Sequence, residues 1–570
     1  MRDTLSRQQI TAGGAILARL KAVGVDYIFA NSGTDFPPII EGLAEAEAKG
    51  LDLPKAIVVP HENAAMGMAF GYFLATGRAQ AVMAHTNVGL ANCAIGAINA
   101  AAEHIPIILI SGRTPITEYG HLGSRTVPIG WGQEMRDQTA MVREAVKWDC
   151  ELRYPEQAPG LVDRAYAIAN STPKGPVYLS LPREPLCQLC CSDELDAPSR
   201  MAPAVAAVHP AALQQAARLI AEAKRPLIIA QRGVGSAVAF AALGKLAAEW
   251  GIPVCHYWAL QLAISTNHPM CIGSDPEPWL SEADLVVAID SLAPWSPAKH
   301  RLLGDAKVIQ LGPDPLFVRF PVRSFEADVC LVGEPADTIV ALAAALHPHA
   351  ASTTSLREAR RSIVQKKSEE RRAQVRKDAE SGNREPMSKA YVARCLSEVI
   401  AGRGAAVLSE LGVPLDVLEL TEADSWYQEP HSGGLGWSFP CALGMQLANP
   451  GRLIIATMGD GSYIFSNPTA CHQIAEALQL PLLVLILNNA EWGAVRHSVL
   501  DVYPDGYASR SNAMPLISLE PSPDFEKIAE ASRAYVQRVE TPDRLPSALQ
   551  RALEHVVRRR TQALINIRVA

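Results

Sequence analysis

No run of about 18 apolar residues occurs in the 570-residue chain, so no transmembrane helix is expected. The opening stretch, MRDTLSRQQITAGG, lacks the apolar core of a signal peptide. Basic charge is not in excess: 52 Lys and Arg stand against 59 Asp and Glu, a formal net charge of −7. That balance argues against nucleic acid or an anionic membrane as the main partner. No second CxxC accompanies Cys187 and Cys190, so the cluster Cys187, Cys190, Cys191 lacks the other half of a zinc site and reads as structural or incidental. No short-period repeat is present. No clean dinucleotide fingerprint appears either, which sets a nicotinamide-dependent dehydrogenase aside. Eleven cysteines, an odd number scattered through helix-like and strand-like runs, fit a reducing cytoplasm, and a cytoplasmic localisation is expected.

What is present is an ordinary globular composition, 48% hydrophobic and 19% charged, in a chain too long for one core. Three blocks alternate buried-strand runs with helix-length segments. The first (1–190) carries VDYIFA, KAIVV, AVMAHT, PIILIS and GPVYLSLP. The second (205–348) carries PLIIA, IPVCHY, LVVAID and KVIQLG. The third (386–570) carries AAVLSE, RLIIATMGDG, PLLVLILNN and ALINIRV. The expected fold class is α/β, with three doubly wound parallel-sheet domains. The charged stretch SLREARRSIVQKKSEERRAQVRKDAESGNREP between the second and third blocks reads as a solvated helical linker.

The third block holds the most informative segment. Gly459, Asp460, Gly461 and Ser462 end the run RLIIATM, and the next apolar run, PLLVLIL, ends in Asn488 and Asn489. This is one βαβ unit with oxygen ligands at both strand exits, where α/β proteins bind ligands. A carboxylate and an amide oxygen beside Gly and Ser amides suit Mg²⁺ and a diphosphate. Either motif alone is a common turn or loop; the pair on successive strand ends is a much rarer coincidence.

This segment resembles the cofactor-binding motif of the thiamine-diphosphate enzymes, the family of acetolactate synthase, pyruvate decarboxylase and benzoylformate decarboxylase. The three-block plan extends the resemblance over essentially the whole chain. It names the first block the pyrimidine-binding domain, the second the central domain and the third the diphosphate-binding domain. Glu62, after the strand run KAIVV and ahead of Gly71-Tyr72, would be a cap by base rates alone. The resemblance makes it the glutamate that contacts N1′ of the cofactor's aminopyrimidine and favours the 4′-imino tautomer, whose nitrogen takes the C2 proton. His85, in AHTNVGLAN, matches a substrate-facing proton relay, with a histidine bonded to a loop carbonyl as the alternative. Thr34, in FANSGTDF, matches a substrate-facing serine.

In the third block the resemblance implies that the Gly433 carbonyl accepts a bond from the 4′-amino group and that Leu435 props the cofactor in its bent form. Asp460, the Asn489 side chain and the backbone carbonyl of Glu491 would hold Mg²⁺, and the amides of Gly461 and Ser462 would hold phosphate oxygens. Trp492 would line the substrate pocket or simply pack. FAD, known from the acetolactate synthase branch, is not expected: Gly233 and Gly235 in IIAQRGVGSA are a weak nucleotide signal. The cofactor would span the first block of one subunit and the third block of its partner, so a dimer or tetramer is expected. The substrate class implied is a 2-keto acid or an acyloin. Segments such as GPVYLSLPRE lean toward a benzoylformate decarboxylase-like 2-keto-acid decarboxylase, whereas Gln133-Glu134 leans toward acetolactate synthase. Where benzoylformate decarboxylases carry a second histidine, Trp295 and Pro297 stand, and His300 is displaced. Alternatives are an acetolactate synthase-type carboligase, an acyloin lyase, and a catalytically silent cofactor-binding homologue.

Overall fold

The computed structural model describes residues 9–191 and 193–570. Residues 1–8, part of the stretch read for a signal peptide, lie outside the described residues, as do Ser192 and the Cys191 side chain. Runs such as PLIIA, LVVAI, AVLSE and LVLILN form strands buried along their whole length. Strands buried on both faces belong to parallel sheets covered by helices, and three such sheets are present.

The first sheet has six strands in the spatial order Lys55–Val58, Tyr27–Ala30, Gln80–Ala84, Ile107–Arg113, Val177–Pro182, Asp149–Glu151, all parallel. The third sheet also has six, in the order Trp426–Gln428, Ala406–Glu410, Ile454–Gly459, Leu483–Asn488, Ala563–Arg568, Tyr535–Val539. Numbered along the chain within each block, both sheets read 2-1-3-4-6-5. The central sheet has five strands, Val254–Cys255, Pro226–Ala230, Leu285–Ile289, Lys307–Gly312 and Val329–Val332. In each sheet the connections diverge at the exits of the first and third strands. That switch point opens a crevice at the carboxyl end of the sheet. A small antiparallel ribbon joins Gln9–Thr11 to Leu189–Cys191.

The described chain forms two compact units. One combines the described part of Met1–Ala204 with Pro430–Pro450; the other combines Val205–Glu429 with Gly451–Ala570. Helix Ser438–Ala448 thus packs within the first unit, although its neighbours in sequence belong to the third sheet. Its partner there is helix Glu62–Thr76, buried without interruption from Ala64 to Tyr72. The two helices meet backbone to backbone. A Cβ on Gly71 would overlap the Cys441 carbonyl, and one on Gly444 would overlap the Met68 carbonyl.

In the second unit, helix Thr354–Ser381 follows the charged stretch and is mostly exposed. It is more than a linker, because Arg360, Val364 and Ser368 form one buried row at helical spacing. Arg360 donates to the Ala223 carbonyl at 3.1 Å, and Ser368 to the Cys271 carbonyl at 2.5 Å.

Gly71→Ala is expected to destabilise the chain by about 1–3 kcal/mol or more, as overpacking against rigid backbone does. Gly160, in helix Ala158–Asn170 with open space around it, provides the control. Gly160→Ala should fall within about 1 kcal/mol of the parent, on the stabilising side. Urea unfolding of both variants checks the pair; equal stability of Gly71→Ala and parent would remove the close helix contact from the account.

Candidate active site

Polar side chains of the first unit gather at the exits of its sheet. Lys55–Val58 leads into helix Glu62–Thr76, whose N-cap His61 accepts from the Asn63 N–H at 3.2 Å. Glu62 opens the helix and is 5% exposed. Asn31, at the exit of Tyr27–Ala30, donates its amide to Glu62 Oε1 at 3.0 Å. Asn92, two turns into helix Thr86–Ala102, donates to Oε2 at 2.9 Å. The carboxylate is therefore held at both oxygens by neutral donors from two other elements, which fixes its position without a counter-ion.

His85 stands at the exit of Gln80–Ala84 and caps helix Thr86–Ala102. Its Nδ1 bonds the carboxylate of Asp35 rather than a loop carbonyl. Asp35 is buried, and its other oxygen accepts from the Thr86 N–H at 3.2 Å. Side chains larger than hydrogen at Gly33 and Gly112 would overlap His85 and Asp35, so these glycines make room for the pair. The hydrogen bond to Asp35 raises the His85 pKa above its ordinary 6.5; burial opposes the rise, and the charges of Asp35 and Glu62 reinforce it. On the far side of the ring, Gln133 Nε2 lies 3.1 Å from Nε2. Glu134, its neighbour, is paired with Arg113 at 2.8 Å and with Arg125. Thr34, Asp35 and Gln133 line a cavity of about 290 Å³ beside the histidine.

Gly433 and Leu435 belong to the same unit. Gly433 takes a left-handed conformation (φ 69°), with its N–H bonded to the Pro430 carbonyl at 2.9 Å. The loop is tied to helix Thr86–Ala102 by Asn99, which donates to the Gly434 carbonyl at 2.9 Å and accepts from the Ser432 hydroxyl at 2.7 Å. Leu435 is half-buried.

In the second unit, Ile454–Gly459 exits into the short helix Asp460–Phe465, and Leu483–Asn488 exits at Asn489. Asp460 is 2% exposed, and burial raises its carboxyl pKa against the pull of nearby backbone N–H groups. One terminal atom of the Asn489 amide lies 3.2 Å from Asp460 Oδ1 and 3.0 Å from the Glu491 carbonyl oxygen. With its nitrogen there, the amide donates to both. With its oxygen there, a carboxylate, an amide and a main-chain carbonyl converge on one point, the donor set of a hard divalent cation that also takes phosphate oxygens. The residues therefore fit Mg²⁺. The Glu491 side chain is turned away onto Arg496 at 2.8 Å. Asn488 is used inside the fold, donating to Asn566 Oδ1 at 3.2 Å and Ser522 Oγ at 3.0 Å. Ser462 is buried, and Gly461 sits under the Trp492 ring, so that tryptophan packs over the turn. His300 is occupied by the Ser296 N–H at 3.0 Å and by the edge of Tyr257.

The sequence models for thiamine pyrophosphate enzymes match three stretches in turn. The N-terminal TPP-binding domain covers residues 10–141, the central domain 213–342 and the C-terminal TPP-binding domain 414–567. The chain belongs to the thiamine-diphosphate enzyme family. It is similar to the probable 2-ketoarginine decarboxylase AruI of Pseudomonas aeruginosa, 28% identical over 566 residues (95% of this chain, 92% of that one). It is 26% identical over 555 residues to the benzoylformate decarboxylase of Pseudomonas aeruginosa (94% and 95%). The probable acetolactate synthase large subunit of Methanocaldococcus jannaschii is 24% identical over 572 residues (95% and 89%). In fold it matches the Rhodococcus jostii thiamine diphosphate-dependent 4-hydroxybenzoylformate decarboxylase, with a TM-score of 0.76, 22% identity and coverage of 98% and 99%.

For a thiamine-diphosphate enzyme the histidine's acid partner is the residue that sequence reasoning missed. Asp35 directly follows Thr34 in NSGTDF, and a carboxylate inside a Gly-rich strand exit was the available signal. Asn92 was less visible, because only the helix brings it back over the start of the neighbouring helix.

Asp35→Asn should lower the His85 titration midpoint, since it removes the charged partner that raises it. Histidine NMR titration of the full chain reads this directly. Because a raised value means protonation is favoured in the fold, the pair contributes stability below the ordinary histidine range and loses it as pH rises through the folded value. An unmoved midpoint in the variant would exclude Asp35 as the controlling group.

Proposed function

We propose that this thiamine-diphosphate enzyme is a Mg²⁺-dependent 2-keto-acid decarboxylase. The observation that carries the proposal is Glu62, buried at a helix start and fixed at both oxygens, with the Asp35–His85 pair within its electrostatic reach. Bound at such a site, thiamine diphosphate supplies an electron sink for the carbon beside a carbonyl. Glu62 would hold the aminopyrimidine and offer its carboxyl for proton exchange with the ring nitrogen. Asp460, Asn489 and the Glu491 carbonyl would hold Mg²⁺, whose charge would anchor the diphosphate. The Gly433 carbonyl and Leu435 orient the aminopyrimidine. His85, kept protonated to higher pH by Asp35, delivers a proton to the product carbon or its oxygen, and Thr34 faces the substrate.

A second reading is carboligation of the acetolactate synthase type. Gln133 on His85 favours it: an amide N–H that donates to the ring's outer nitrogen leaves no proton there to deliver, which lengthens the time available for a second carbonyl to react. Both readings place the active site between the first unit of one copy and the second unit of another, hence an obligate dimer or a tetramer. Ten described cysteines stand outside any disulfide, in keeping with a cytoplasmic setting.

Glu62→Gln is expected to cut turnover by about 100-fold or more, the scale of lost acid–base catalysis, while thiamine diphosphate with Mg²⁺ still raises the melting temperature. Turnover equal to the parent would overturn the assignment. Incubation with a panel of linear, branched, aromatic and guanidino 2-keto acids, with products identified by mass, separates the reactions. Aldehyde alone supports decarboxylation, and acyloin or 2-hydroxy-2-acyl acid supports carboligation.

A further inference from the structure

The second unit contains a half-buried ammonium group that the reading above does not use. Lys389 opens helix Lys389–Ile400, which runs away from the exit edge of the third sheet. Ser388 caps that helix by accepting from the Tyr391 N–H at 3.1 Å. Met387, just before it, pairs with Val569 beyond the last strand, which fixes this turn to the same edge as Asp460.

Lys389 Nζ donates to the Leu411 carbonyl at 2.6 Å, and among the described residues no carboxylate forms an ion pair with it. Leu411 is bridged to Met458, two residues before Asp460. The lysine therefore stands at the switch point between Ala406–Glu410 and Ile454–Gly459, within electrostatic reach of Asp460 and Glu429. It lines a cavity of about 370 Å³ with Gly412, Val413, Trp258, Glu429 and others, and is the single Lys or Arg among the lining residues.

The other charges at this cavity are already neutralised. Asp416 is paired with Arg371 at 3.2 Å. Burial, reinforced by Glu410, pushes the Glu429 carboxyl up to about 8, so it carries a proton at neutral pH. His256 is kept neutral by burial, its pKa near 4. Lys389 thus has no carboxylate paired directly with it at this cavity, and desolvation lowers its pKa against the opposing charges of Asp460 and Glu429. A partly desolvated charge without a direct ion-pair partner carries a cost that a bound anion reduces. The charge count at the metal asks for such a cation: Mg²⁺ with one carboxylate leaves a single positive charge, against about two to three negative charges on a diphosphate.

We propose that Lys389 is a further cofactor-binding residue, whose ammonium group would supply positive charge to the diphosphate anchored at Asp460. This rests on the reading that the diphosphate is anchored at Asp460. The test is calorimetric titration of cofactor-free full-length protein with thiamine diphosphate in excess Mg²⁺, and with thiamine. Lys389→Met should weaken thiamine diphosphate binding by about 30-fold or more, leave thiamine binding unchanged and leave the cofactor-free melting temperature level or higher. Lys389→Arg should recover most of the affinity. Unchanged affinity in Lys389→Met overturns the proposal. So does a loss that Lys389→Arg fails to recover and that comes with a lower cofactor-free melting temperature, since that pattern marks a structural lysine. Asp460→Ala tests the parent reading separately: if it binds thiamine diphosphate with Mg²⁺ as the wild type does, the anchor is misplaced, whatever Lys389 does.

Discussion

A parallel sheet covered by helices on both faces disfavours charged side chains along its inner strands except at their ends, and this constraint orders the molecule. In the strand Leu483–Asn488 the only polar residue is the last, and in Ile454–Gly459 charge appears only at the next position, Asp460. Function is pushed to the carboxyl edge. Within that edge it concentrates where connections diverge, because there two loops leave in opposite directions and nothing covers the gap between them. The first and third sheets share one strand order, so the same crevice is built twice.

The two crevices are chemically unlike. In the first, each charge is satisfied by the protein itself: Glu62 by the amides of Asn31 and Asn92, and Asp35 by His85 and the Thr86 N–H. In the second, Asp460 and Lys389 are bonded to neutral groups. Asp460 is a buried carboxylate facing the Asn489 amide, and Lys389 is a half-buried ammonium bonded to a carbonyl. The first is rigid and complete, suited to steering protons. The second calls for a ligand that carries both a cation and an anion, which a metal diphosphate does.

The sequence was a good guide where burial was complete. Every long apolar run singled out became a central strand or its immediate neighbour. The short edge strands Asp149–Glu151 and Tyr535–Val539 were not visible, since strands half open to solvent carry no apolar signature, and the buried Trp426–Gln428 is too short to show a pattern. The charged stretch became the helix Thr354–Ser381 as its composition suggested. The row Arg360, Val364, Ser368 that anchors it was hidden, because two of those three residues are polar and bury by hydrogen bonding to carbonyls.

By itself, the sequence determined the three α/β blocks, the GDG and NN strand exits and the glutamate that opens a helix, because these depend on local periodicity and on residues adjacent in the chain. Only the tertiary structure decided which polar groups meet. Asp35 reaches His85 across two neighbouring strand exits, Asn489 rather than Asn488 turns toward Asp460, and Lys389 arrives beside Asp460 from about seventy residues upstream. It also assigned helix Ser438–Ala448, with Gly433 and Leu435 ahead of it, to the unit that holds Glu62. The physical reason is the same in each case: a parallel sheet brings to one edge loops that are far apart in sequence, and partnership there is set by strand order, which no local pattern encodes.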